Sequence, residues 1–298
     1  MQCVLTLIAN PARPALDDSI VAAVRAALES AGAAVGATDP LAPGVACDLP
    51  FERLPKSEAE TAARRVIGQA PVDMAAQEGA GRRKRLLACD MDSTLIENEI
   101  VDEIAAVAGL RDKIAPITAR SVAGEIDFAT SLAERVALFK GLPESRYLEA
   151  GQAIRLMPGA RALIATMRAF GAHSLIISGG FRAFTAQVRD ALGMDQDVAN
   201  DVEVRDGVLT GRLLAPLVAR ETKAEILRAA AAARSIRPSE TMAVGDGAND
   251  LAMIQAAAVG VAFHGTPRIR AGASVRIDHG DLTALLYLQG YRRSEIRT

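Results

Sequence analysis

Apolar positions along this chain follow two rhythms, and their arrangement changes near residue 80. From Arg85 onward, short apolar runs alternate with stretches of helical period, the pattern of a parallel sheet covered on both faces. The runs Arg85 to Cys89, His173 to Ser178, Thr241 to Gly245, Val259 to Phe263 and Ser274 to Ile277 read as buried strands. Helical spacing predicts helices over Gly159 to Phe170, Phe181 to Leu192 and Thr222 to Arg234. Between Asn98 and Leu156 no strand pattern occurs. That stretch holds four helical ones instead: Glu99–Ala108, Arg111–Ala123, Phe128–Phe139 and Glu144–Ala153. An all-helical insertion directly after the first strand reads as a cap over the crevice. Asp206-Gly207, flanked by alternating residues, is a hairpin turn signal.

The pattern before residue 80 is different. Cys3 to Ala9 reads as a strand, Asp17 to Ala31 as an amphipathic helix, and Ser57 to Gln69 as a second helix. A segment rich in Gly, Ala and Pro, Ala37 to Asp48, lies between the helices with a candidate strand near it. Gln77 to Lys84 carries glycines and a basic cluster and reads as a linker with solvated charges. The division is therefore a small N-terminal α+β domain over 1–80 and an α/β domain over 81–298, with the helical cap at about 98–156.

Composition narrows the class. Half of the 298 residues are hydrophobic and 23% are charged, enough apolar material for a packed core. A net charge of −2, 3% aromatics and no Trp argue against nucleic acid as a partner. Cys3, Cys47 and Cys89 are too few and too scattered for a disulfide framework or a zinc site, and they suit a reducing compartment. The apolar start, Met1 to Asn10, is short and lacks a basic lead, and no apolar run reaches the ~20 residues of a membrane span. The expectation is a cytoplasmic protein with no membrane association.

The chemistry gathers at strand ends. Asp90-Met91-Asp92-Ser93-Thr94 follows the first buried strand, where open α/β sheets bind ligands. Two carboxylates there offer a nucleophile, Asp90, and a general acid/base, Asp92. Ser178-Gly179-Gly180 follows the second strand and opens a helix, a hydroxyl and backbone N–H groups suited to an anion. Lys223 stands near a helix start, against the local dipole, which makes sense if it offsets negative charge. Gly245-Asp246-Gly247-Ala248-Asn249-Asp250 is a glycine-rich turn with two acids and an amide. Magnesium requires hard oxygen ligands: the Asp90 and Asp246 carboxylates and the Asp92 backbone carbonyl could supply them, with Asp250 orienting that set. Asn249 reaches either a phosphate or the turn itself. His173, His264 and His279 share no metal spacing, and Cys89 should point away from the site into the core.

In order and sheet context, these elements resemble the haloacid dehalogenase (HAD) superfamily, from about Arg85 to the C-terminus. Within it DMDSTLIENE, the helical cap, SGGF, ETK and VGDGANDLAMI resemble the branch that hydrolyses phosphoserine in serine biosynthesis. The resemblance implies a HAD-type Rossmann-like sheet and an aspartyl-phosphate on Asp90, with Asp92 as acid/base and Mg2+ as cofactor. Ser178, Gly179 and Lys223 would hold the phosphate. It also implies that Glu99 binds the substrate ammonium and Arg135 its carboxylate, with Phe128 and Val122 lining the apolar part of the lid. A guanidinium gripping a carboxylate bidentately fits that role. Two alternatives stay open: a phosphatase or phosphotransferase for another small phosphomonoester, and an inactive amino-acid-sensing protein. The N-terminal region weakly resembles ACT-type regulatory domains; regulation, homodimer formation and simple packing are all open for it.

Overall fold

The computed structural model describes residues 2–298, with the side chain of Val122 outside the described residues. Its N-terminal part runs Cys3–Ala9 (β1), Asp18–Ser30 (α1), Ala34–Val35 (β2), Asp39–Ala42 (β3), Ala46–Glu52 (β4), Lys56–Ile67 (α2) and Val72–Glu78 (β5). The strands form an antiparallel sheet in the order β2-β4-β1-β5, with β3 paired to β4. This is a split β-α-β arrangement, with more strands than the sequence pattern predicts. Alternation in β1 divides the work. Leu5 and Leu7 pack under α1 and α2 with Val24, Leu28 and Ala63, while Ile8 faces the rest of the molecule. Asp17 caps α1, its carboxylate accepting from the N–H of Ile20 at 2.9 Å.

The connection to the second sheet is not a solvated linker. Arg82 is nearly buried and donates to Asp48, to Thr6 Oγ1 at 2.9 Å, and to the carbonyls of Leu288 and Tyr287 at 3.0 and 3.1 Å. Lys84, 8% exposed, donates to the carbonyls of Gly81 and Ser239. Apart from Gly81, these partners lie far away in sequence, so a local reading of the basic cluster misassigns it.

The second part begins with Leu86–Cys89 (β6), followed by Ile100–Ala108 (α3), Arg111–Val122 (α4), Phe128–Leu138 (α5) and Glu144–Glu149 (α6). It continues through Ala160–Ala169 (α7), His173–Phe181 (β7), Arg182–Leu192 (α8), Gln196–Arg205 (β8), Val208–Leu214 (β9) and Arg220–Ala233 (α9). Thr241–Gly245 (β10), Leu251–Ala256 (α10), Val259–Phe263 (β11), Pro267–Gly272 (α11), Val275–Ile277 (β12) and Ala284–Leu288 (α12) complete it. The sheet order is β12-β11-β10-β6-β7-β8-β9, parallel except for the β8–β9 hairpin. Asp206 and Gly207 turn that hairpin with φ of 51° and 75°, the positive values a two-residue turn needs.

Strand β7 runs past Ser178 to Phe181, and its register against β8 shifts between Ile177 and Phe181. The expected turn at Ser178-Gly179-Gly180 is thus a bulged strand end, opened by two residues without side chains. The chain moves outward from β6 through β7 and β8, then returns to lay β10 on the other side of β6. That reversal places the switch point, and hence a crevice, at the carboxyl ends of β6 and β10. Helices α3 to α6 follow β6 and stand over that end. Among the described residues no helix is long and apolar enough to cross a membrane.

Candidate active site

Four-residue strand β6 is wholly buried, so the first polar side chain after it, Asp90, emerges at the crevice in a fixed direction. Its N–H is held by the carbonyl of Val244 at 3.0 Å, which ties it to the end of β10. Lys223, 1% exposed, places Nζ 2.9 Å from Asp90 Oδ1 and 2.6 Å from Asp250 Oδ1. Burial alone would lower this lysine from its usual value. The two carboxylates more than reverse that and hold it above its ordinary range. Gly245 makes the approach of Asp250 feasible, since a Cβ there would sit 2.5 Å from the Asp250 carboxyl carbon. The second Asp250 oxygen accepts from the N–H of Gly247 at 3.2 Å.

Asp90, Asp246 and Asp250 offer carboxylate oxygens within 4.8 Å of one another. Burial, then the charges of Asp90 and Asp250, push the Asp246 carboxyl up to about 8. One lysine is too little positive charge for three converging carboxylates. A divalent cation would relieve this, and hard oxygen donors are what such a cation takes. Thr94, fully buried, directs its hydroxyl toward Asp246 Oδ1 at 3.4 Å.

Asp92 lies above this floor. Its Oδ1 accepts the N–H of Ile100, the first residue of α3, at 2.7 Å. Burial, then the charges of Glu99 and Asp90, raise its carboxyl well above the ordinary range. Ser93 adopts φ of 53°, uncommon for a residue with a side chain, and its hydroxyl donates to Glu99 Oε1 at 2.6 Å. Glu99 is itself raised by burial. Arg135 in α5 faces the charges of Glu99, Asp102 and Asp92, while burial lowers its guanidinium from its usual value. Its Nε donates to the Ser131 carbonyl at 3.2 Å.

Asp90, Asp92, Glu99, Arg135, Ser178, Gly179, Asp246 and Asn249 line one cavity of about 120 Å3, and Lys223 and Asp250 lie beneath it. Every site residue singled out from the sequence thus gathers at one place. Gly180 donates its N–H to Ser178 Oγ at 2.9 Å, which leaves the serine proton free for a ligand. Phe128 closes the cavity so tightly that a Cβ on Gly179 would lie 2.4 Å from its ring. Val122 was expected beside Phe128, but its side chain falls outside the described residues; Val101 and Leu132 supply apolar wall.

Sequence reasoning missed Asn200. This buried amide donates to the carbonyls of Gly179 and Val218 at 2.8 and 3.2 Å and accepts the Val218 N–H at 2.7 Å. It pins the Ser178-Gly179 segment to the approach to α9, and so to Lys223. A lone Asn in a strand carries no signal of that role. Cys89 is fully buried and its thiol is raised by burial, in keeping with a core position. His173 begins β7 beside Asp195, while His264 contacts the Gly280 carbonyl.

The sequence profile of the family described as haloacid dehalogenase-like hydrolase matches residues 87–255. Over 239 residues the chain is 40% identical to a phosphoserine phosphatase of Mycobacterium tuberculosis, an alignment covering 80% of this chain and 58% of that protein. The chain thus spans little more than half the length of that curated relative. Among solved structures, a HAD family hydrolase of Salmonella enterica serovar Typhi superposes with a TM-score of 0.83 at 28% identity, covering 96% of this chain and 98% of the other. A structure described as a phospho-aspartyl intermediate analogue of phosphoserine phosphatase superposes with a TM-score of 0.65 at 36% identity, covering 69% of this chain and 98% of that one.

Proposed function

The chain belongs to the haloacid dehalogenase-like hydrolase family, and we propose that it hydrolyses O-phosphoserine through an aspartyl-phosphate on Asp90, with Mg2+ as cofactor. The observation that carries this reading is a single cavity with opposed ends. A nucleophile and a buried lysine form its floor, and an acid and a guanidinium, Glu99 and Arg135, face them from the cap side. A substrate bearing phosphate, ammonium and carboxylate matches all three charges.

In this reading the phosphate rests against Lys223 and the Ser178 hydroxyl, while Glu99 takes the ammonium and Arg135 the carboxylate. Asp90 attacks phosphorus in line and the bond to the serine oxygen breaks. Asp92, whose carboxyl is raised by burial, passes a proton to that leaving oxygen. The emptied Asp92 carboxylate then takes a proton from water as water attacks the acyl phosphate, which frees Asp90 and phosphate. Magnesium, held by Asp90, Asp246 and the Asp92 carbonyl, would supply positive charge against the phosphoryl oxygens. Phe128, Leu132 and Val101 exclude water from the reacting centre. We place this activity in the cytoplasm, where Cys3, Cys47 and Cys89 would remain the free thiols they are.

Phosphate release by the full chain with Mg2+ tests the proposal, using phosphoserine, phosphothreonine, phosphotyrosine and glycerol phosphate. Clear preference for phosphoserine is expected. Equal turnover of glycerol phosphate would assign the cavity to a broader class of phosphomonoester, and no turnover at all would remove the enzymatic reading.

A further inference from the structure

A second cavity, of about 500 Å3, lies between the two sheets and shares no lining residue with the first. Helix α2 and strand β5 supply Glu60, Arg64 and Asp73; the α11–β12 region supplies Arg270, Arg276 and Asp278. Three acids and three arginines look balanced, but the pairing is uneven. Glu60 accepts the N–H of Ala76 at 2.8 Å. Asp73 is consumed by the N–H groups of Asp278, His279 and Gly280 at 2.7, 3.0 and 2.7 Å, a latch between the two sheets. Asp278 lies 3.2 Å from Arg270.

Among the described residues, Arg64 and Arg276 have neither an ion-pair nor a hydrogen-bond partner for their side chains. They also repel: burial, then the charge of Arg276, lowers the Arg64 guanidinium from its usual value, against the nearby charges of Glu60 and Asp278. Two guanidiniums facing one cleft with no bonded partner suit an anion, and a dianion meets both where a single carboxylate leaves one charge over. Guanidinium is suited to that task, because its planar donors match phosphate oxygens in pairs.

We propose that this cleft between the sheets is a binding site for a phosphate group, held by Arg64 of α2 and Arg276 of β12. An occupant ties the N-terminal sheet to the second sheet at a place one short helix away from the Asp246 turn. The N–H of Thr266, just before α11, donates to the Asp246 carbonyl at 3.1 Å. The group is either inorganic phosphate or the phosphoryl end of a small organic molecule.

Calorimetric titration of the full chain tests this, with inorganic phosphate in one arm and methylphosphonate, which is not hydrolysed, in the other. The Arg64→Gln, Arg276→Gln double variant is titrated alongside, and the double lysine variant serves as a check that charge rather than folding is at issue. The expected result is that the glutamine variant has one binding site fewer than the natural chain, or binds there at least tenfold more weakly, while the lysine variant recovers part of it. Loss in the inorganic arm alone identifies free phosphate as the occupant, and loss in both arms identifies any phosphoryl group. The same number of sites and the same affinities in the natural and glutamine chains would overturn the proposal. Because the readout is the difference made by the arginines, it holds whatever the Asp90 cavity binds or catalyses.

Discussion

On the floor of the Asp90 cavity, Lys223 touches both Asp90 and Asp250, at 2.9 and 2.6 Å. On the cap side, among the described residues, Arg135 bonds only to a carbonyl of its own helix, while Glu99 is held by a single hydroxyl from Ser93. The floor is buried, whereas Glu99 is exposed and Arg135 half-buried, and the two regions are organised for different ends. The floor has its charges in contact before any ligand arrives, so little needs to reorganise when negative charge builds up on phosphorus. The cap carries two charges whose bonding is incomplete, and a ligand with the opposite signs completes it. Substitutions on the floor should therefore strike kcat, and substitutions on the cap should strike KM.

The largest test of that division is Asp90→Asn, which removes the proposed nucleophile and should lower kcat by about four orders of magnitude or more. Steady-state phosphate release measures it, and an effect under about tenfold would break the floor assignment. Lys223→Met comes next. It leaves two carboxylates facing each other in a buried site, and should cost about 3–5 kcal/mol of folding stability as well as nearly all turnover. Thermal melting read together with kcat would separate the two losses; unchanged melting would contradict the pairing seen here. Arg135→Ala should raise KM for phosphoserine by about a hundredfold, the worth of a lost charge-assisted pair, with a smaller change in kcat. If kcat fell and KM held, the cap would belong to the chemistry rather than to recognition. Ser93→Ala is the smallest: losing one hydrogen bond to Glu99 should raise KM about five- to tenfold.

How far the sequence revealed these features depends on how local their cause is. The cap helices and the parallel strands stood out because a 3.6-residue period and short apolar runs are properties of neighbouring residues. Asp90, Ser178, Lys223 and Asp246 could be picked out because each follows a buried strand or opens a helix. Strand β4 was legible only as an unplaced candidate strand near Ala37–Asp48: it contains Pro50 and a buried Asp48, whose partners Thr6 and Arg82 lie elsewhere in the chain. Strand β5, Val72–Glu78, is rich in alanine and lacks the β-branched alternation that marks strands. Arg82 looked like a solvated charge for the same reason, since its carbonyl partners Tyr287 and Leu288 are 205 and 206 residues away. Asn200 was invisible because its task, clamping two segments, exists only once they have been brought together.

The proposed mechanism makes Asp90 the group that takes up the phosphoryl group covalently, and the most direct measurement is a rapid acid quench of the full chain mixed with phosphoserine carrying labelled phosphate. The account predicts labelled protein within a single turnover, with the label mapping to Asp90 and absent from Asp90→Asn. Label that persists in Asp90→Asn, or turnover in the natural chain with no labelled protein at any quench time, would contradict it.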